Sequence, residues 1–253
     1  MTEERPGGLQ AWAPSTVPGP GVDLGPAQEL AVALRHLDDV GWCENLTGHI
    51  TLQVGDRILV NPWGLWWREV RAADILTIDA DGRVVEGALD VTPAVHIHTE
   101  LHRARPDAAV VIHNHPPYAS ALAAIGELPE VVHQNSSILA DQMVLVNEYD
   151  GEVDSAGLGE ELARRIGNAS VALLVSHGAI VTAPSMAEAV YKAVLFERTC
   201  MLHWLTRSVD AKAIPIAVSA QRQLQASLVE RAAPVYWNGV VRQLAADEPD
   251  VLA

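Results

Sequence analysis

The stretch VVIHNHPPYAS, Val110 to Ser120, limits what this chain can become. An apolar run ends in two histidines two positions apart, and two prolines follow at once. The run AAVVIH reads as a buried strand. The prolines end it and suit the first turn of a helix, PPYASALAAIG, which Gly126 would close. On a strand, residues i and i+2 share a face, so His113 and His115 can present two imidazoles to one ion. An isolated pair of this kind is more often a surface pair or two satisfied core histidines. A second apolar strand end, LLVSHGAIV, favours the metal reading: it offers His177 as a third ligand, with Gly178 letting the backbone turn sharply. Three neutral imidazoles with an open coordination position suit a catalytic divalent ion, and Zn, Mn, Fe and Co are all acceptable.

The rest of the chain alternates helical and extended patterns. Pro26 to Trp42 has apolar residues at helical spacing. Hairpins are expected around Gly55-Asp56 and Asp81-Gly82. A helix begins near Thr92-Pro93 and ends before Pro106. QMVLVNEY reads as a strand, GLGEELARRIGN as an amphipathic helix, and VALLVSHGAIVTA as a strand pair. A long helix capped by Ser185 follows, and then a helical tail broken at Pro234. This is one α/β layered domain over 26–253, preceded by a flexible Pro/Gly-rich arm over 1–25.

The formal net charge is −15, which disfavours nucleic acid and anionic membranes as partners. No apolar run reaches the roughly 18 residues of a membrane helix, and the N-terminus lacks a signal-peptide core. Only two cysteines occur, Cys43 and Cys200, far apart and in no metal motif. The expected setting is reducing and cytoplasmic.

RPDAAVVIHNHPPYASALA, followed about sixty residues on by ALLVSHGAIVTAPSMAEAVYKAVLFERTC, resembles the class II aldolase/adducin family. GWCENLTGHITLQVGDRILVNPWGLWWREV and DILTIDADGRVVEG resemble its first two hairpins. The likeness covers roughly Pro26 to Leu205. It implies a three-layer α/β/α sandwich around a mixed, largely antiparallel sheet. It also implies homotetramers with active sites at subunit interfaces, and a divalent metal held at the positions of His113, His115 and His177.

The departures from the family pattern carry the functional reading. Family aldolases place an acid/base carboxylate where this chain has Ala94. His98 or His96 would take over as proton donor or further ligand, with His102 behind them. The phosphate-binding positions of the sugar-phosphate aldolases match His49, Trp63-Gly64 and Thr92-Pro93. No cation lies nearby apart from Arg68, so the pocket does not look built for phosphate. Trp63, Trp66 and Trp67 are either core or a flat wall for a planar substrate. His133 would line the pocket or the core. Tyr149 and Tyr236 would reach a site across an interface, or pack on the surface.

Loss of a carboxylate requires no base, only a proton donor for the resulting carbanion. The expected activity is therefore a metal-dependent lyase decarboxylating a hydroxylated aromatic or heteroaromatic acid. Three alternatives stand beside it: retro-aldol cleavage of a non-phosphorylated hydroxy-carbonyl compound, non-haem iron oxygenation in secondary metabolism, and a non-catalytic adducin-like scaffold.

Overall fold

The computed structural model describes residues 16–44, 46–148, 151–209 and 212–253. Its strands are β1 His49–Val54, β2 Arg57–Val60, β3 Leu76–Ile78, β4 Val84–Glu86, β5 Val110–Asn114, β6 Met143–Val146, β7 Val171–Leu174 and β8 Gly178–Ala183. Its helices are α1 Pro26–Asp39, α2 His96–Ala104, α3 Pro117–Ile125, α4 Ala156–Ile166, α5 Met186–Ser208, α6 Val218–Ser227 and α7 Ala233–Asp247. The strands form one sheet in the order β4-β3-β2-β1-β5-β8-β7-β6. Only β6 and β7 pair in parallel; the other neighbours are antiparallel.

Strand alternation assigns the layers. Val110 and Ile112 join the core that holds α1, α3, α5 and α7, while Val111 joins the core under α2 and α4. The same alternation in β7 sends Leu173 to the first core and Ala172 and Leu174 to the second. The result is helix, sheet, helix: an α/β/α sandwich on a mixed, largely antiparallel sheet. A small third cluster, Ile58, Val60, Leu76, Ile78 and Val95, fills the end of the sheet by β2 and β3.

Most expected elements are in place, and the differences have local causes. The first helix stops at Asp39, because Gly41 turns left-handed at φ +76°. Pro93 opens a 3-10 turn, Pro93–Val95, before α2 starts at His96. Pro234 does not break the tail. Residues Leu228–Ala232 widen into a π-helical turn, and Pro234 falls in the first turn of α7, where no partner for its missing N–H is needed. Among the described residues no helix is long and apolar enough to cross a membrane.

The larger core depends on α5, whose Phe196 is fully buried. Phe196→Ala is expected to destabilise the fold by about 3–5 kcal/mol in urea titrations. A loss below ~1 kcal/mol would show that this core tolerates the cavity.

Candidate metal centre

The three strand-end histidines converge. His113 is the fourth residue of β5, His115 lies just past the strand, and His177 ends the turn at 175–177 that leads into β8. Antiparallel pairing of β5 with β8 brings that turn to the end of β5. One ring nitrogen from each histidine falls in a set lying within 4.8 Å of one another. The ring centroids form a near-regular triangle: 5.3 Å for His113–His115, 4.8 Å for His113–His177 and 5.1 Å for His115–His177.

Outer contacts orient two of these rings. His113 donates from Nδ1 to the Ala179 carbonyl at 3.0 Å. His115 donates from Nδ1 to a Glu44 carboxylate oxygen at 2.8 Å. In the neutral rings each contact leaves Nε2 as a lone pair. The Nε2 atom of His115 is buried and has no hydrogen-bond partner. A buried unpaired acceptor is costly, and a cation at the triangle removes that cost. The donor set therefore fits a divalent transition ion better than magnesium or calcium, which take oxygen ligands. Glu44 is about half exposed, so its ion pair contributes only ~0–1 kcal/mol to stability. Its effect lies in fixing the ring.

The residue between the two histidines ties the loop down. Asn114 accepts the N–H groups of Glu44 at 3.2 Å and His115 at 2.6 Å, and donates to the Thr47 carbonyl at 3.1 Å. Two glycines make room for it. A Cβ on Gly48 would lie 2.3 Å from the Asn114 amide nitrogen, at φ +86°. A Cβ on Gly178 would lie 2.5 Å from the His115 ring and 2.6 Å from the Asn114 carbonyl oxygen. Gly178 is therefore needed for space and not for a sharp turn; Ser176 takes the left-handed conformation there, at φ 58°.

Behind the triangle runs a buried polar chain. His49 pairs directly across from His113, with ring centroids 5.1 Å apart. His49 Nδ1 meets His98 Nε2 at 2.6 Å. His98 Nδ1 meets the Thr51 hydroxyl at 2.7 Å, and the same hydroxyl meets His102 Nε2 at 2.8 Å. His102 Nδ1 ends the chain on the Ala108 carbonyl at 2.8 Å. His98 and His102 come from one face of α2, four residues apart. Burial holds every one of these rings neutral: His49 is lowered to about 3, His102 and His177 to about 4, and His98 and His113 well below the usual imidazole value.

The other expected site residues are distributed differently. His98 has both nitrogens engaged inside the protein, so His49 stands between it and the triangle and His98 is not a direct proton donor. His96 does not join this chain; its Nδ1 is buried without a partner, and its carbonyl lies against Gly159 of α4. Trp67 is fully buried and donates to the Gly48 carbonyl at 3.2 Å, which corrects it from substrate wall to core brace. Trp63 and Trp66 are exposed, at 59% and 50%. Trp63 and Gly64 sit on the loop leaving β2, where Asn61 accepts the Ile50 N–H at 2.8 Å beside the start of β1. Thr92 accepts the Ala94 N–H, a capping contact. His133 caps a 3-10 turn by accepting the Asn135 N–H, and no described contact brings it to the triangle. Tyr236 bonds His36 at 2.8 Å on the helical tail. Tyr149 lies outside the described residues. Sequence reasoning missed Glu44, Thr51 and Asn114. Only Asn114 had a signal, its place between the two histidines.

The family model of the Class II Aldolase and Adducin N-terminal domain matches residues 28–204. An adducin-related protein of Schizosaccharomyces pombe is 33% identical over 64% of this chain and 53% of its own length, so the chain spans about half of that relative. A 3,4-dihydroxyphthalate decarboxylase of Arthrobacter keyseri is 32% identical over 73% of this chain and 77% of its own. A 4-hydroxy-3-prenylphenylpyruvate oxygenase/4-hydroxy-3-prenylbenzoate synthase of Streptomyces roseochromogenus subsp. oscitans is 30% identical over 75% and 71%.

Glu44→Ala is expected to weaken zinc binding by about 10–100-fold in competition with a chromophoric chelator, with little change in folding stability. Unchanged affinity would remove Glu44 from the site. The depressed histidines also set an acid limit. Their folded values lie below the ordinary 6.5, so the unfolded chain binds protons first as pH falls. The urea midpoint of chelator-treated protein should drop between pH 6.5 and 5; a flat midpoint there would mean the buried rings carry charge in the fold.

Proposed function

The chain belongs to the class II aldolase/adducin family, and on that premise we propose that it is a divalent-metal lyase removing the carboxyl group of a hydroxylated aromatic acid. The observation that carries this reading is the pairing of an intact three-imidazole cradle with an alanine at the acid/base position. Ala94 is half-buried and packs against the apolar cluster of α2 and α4. It can neither ligate nor move a proton. A retro-aldol cleavage needs a base for the substrate hydroxyl, whereas decarboxylation needs none to begin.

A bound divalent ion would supply a Lewis acid at the imidazole nitrogens. His113, His115 and His177 would hold it; the Ala179 carbonyl orients His113 and Glu44 orients His115. The bond from the ring carbon to the carboxyl carbon breaks, carbon dioxide leaves, and the electron pair stays on the ring carbon, which takes up one proton from solvent water. Trp63, exposed on the loop leaving β2, supplies a flat apolar surface suited to an aromatic ring. The similarity to a protein named 3,4-dihydroxyphthalate decarboxylase supports this substrate class. Assembly as a homotetramer belongs to the same proposal.

The oxygenase relative favours a second reading on the same residues, iron-dependent oxygenation of a hydroxylated aromatic acid. One assay separates the two. Protein loaded with zinc, manganese, cobalt or iron(II) is given a panel of ortho-hydroxylated benzoates and phthalates. Carbon dioxide release without oxygen uptake, lost in His113→Ala/His115→Ala, is expected. Oxygen uptake matching turnover would replace the lyase with an oxygenase. An aldehyde product from a hydroxy-carbonyl substrate would make it an aldolase. No turnover and no bound metal would leave a scaffold.

A further inference from the structure

The buried chain behind the triangle has a direction. The Ala108 carbonyl can only accept, so His102 Nδ1 carries the proton of that ring. His102 Nε2 is then a lone pair, and the Thr51 hydroxyl must spend its single proton on it. The Thr51 oxygen is left to accept, so His98 Nδ1 carries the proton of its ring. His98 Nε2 is again a lone pair, and His49 Nδ1 must donate to it. His49 Nε2 therefore has no proton. No carboxylate sits in the chain to support a cationic ring, and its four side chains are at most 6% exposed.

We propose that His102, Thr51 and His98 are positioning residues that fix His49 as an acceptor at Nε2, so that the site selects acids with a free hydroxyl group beside the carboxylate. This rests on the lyase reading and names the recognition element within it. His49 stands directly across the ladder from His113, with ring centroids 5.1 Å apart, so its imidazole borders the cradle. A carboxylate or ether oxygen cannot donate to that atom; a hydroxyl can. The chain ends on a buried backbone carbonyl and not on solvent, so it sets a tautomer and does not conduct protons. The lone pair accepts a hydrogen bond from the substrate hydroxyl and leaves the proton on the substrate.

The first test needs no substitution and no turnover. Two-bond proton–nitrogen correlations of 15N-histidine-labelled protein, metal-free and zinc-loaded, report each ring's tautomer. His49, His98 and His102 should all be neutral with the proton on Nδ1. A proton on His49 Nε2, or a cationic ring in the chain, overturns the proposal whether or not the protein is a lyase. The second test is calorimetric binding to the zinc-loaded protein. Salicylate should bind at least about 100-fold more tightly than 2-methoxybenzoate. Thr51→Val should erase that preference while zinc stoichiometry holds, and Thr51→Ser should restore it. Equal binding of the two acids by the unsubstituted protein also overturns the proposal. Failure of carbon dioxide release with the tautomers as stated would instead overturn the lyase reading and leave the acceptor in place. If Thr51→Val does not fold, the spectra and the unsubstituted binding ratio decide.

Discussion

Antiparallel pairing of β5 with β1 on one side and β8 on the other carries the rest of the structure. It sets His49 opposite His113 and delivers the turn that holds His177. The same ladder places Val111 in the core under α2 and Val110 and Ile112 in the core of α1 and α5. A slip of one residue would send His113 to the opposite face and expose an apolar row. The register that buries the core is thus the register that assembles the site, and neither can be lost alone.

The α2 face of the sheet holds an unusual amount of polar material for its depth. Three imidazoles and a hydroxyl are buried between β1 and α2 with no charge among them. Such groups are costly unless each donor meets an acceptor, and here the chain from Ala108 to His49 closes every link but the last. Satisfied networks of this kind specify one arrangement strongly, because any alternative leaves a donor or acceptor stranded. Glu44 works on the opposite side of the triangle by a different means. It is half exposed, weak as an ion pair, and effective only through the ring it aims.

The fold was legible because its strands and helices have clear periods and breakers. Pro117, Gly126 and Ser185 mark their helix ends in the sequence and in space. The convergence of the three histidines was legible for the same reason: they sit at strand ends, where local pattern predicts direction. What escaped was set by packing between distant segments. Glu44 reaches His115 across 71 positions, and Thr51 reaches His102 across 51. Trp63 and Trp67 share a short stretch, yet one is exposed and the other buried, because a 3-10 turn at Trp67–Glu69 rotates the second inward. Pro234 looked like a break because propensity describes an ideal helix, and a π turn just before it absorbs the fault.

Gly48 and Gly178 hold the segment His113–Asn114–His115 between them with no room for one further carbon. Neither carries a functional group, and neither would attract notice in a search for chemistry. Selection acting on the imidazoles nevertheless passes through the Asn114 amide and the His115 ring to both of them. In a population of variants these two positions would be as intolerant of change as the three histidines themselves, a constraint inherited from a site to which they contribute no functional group.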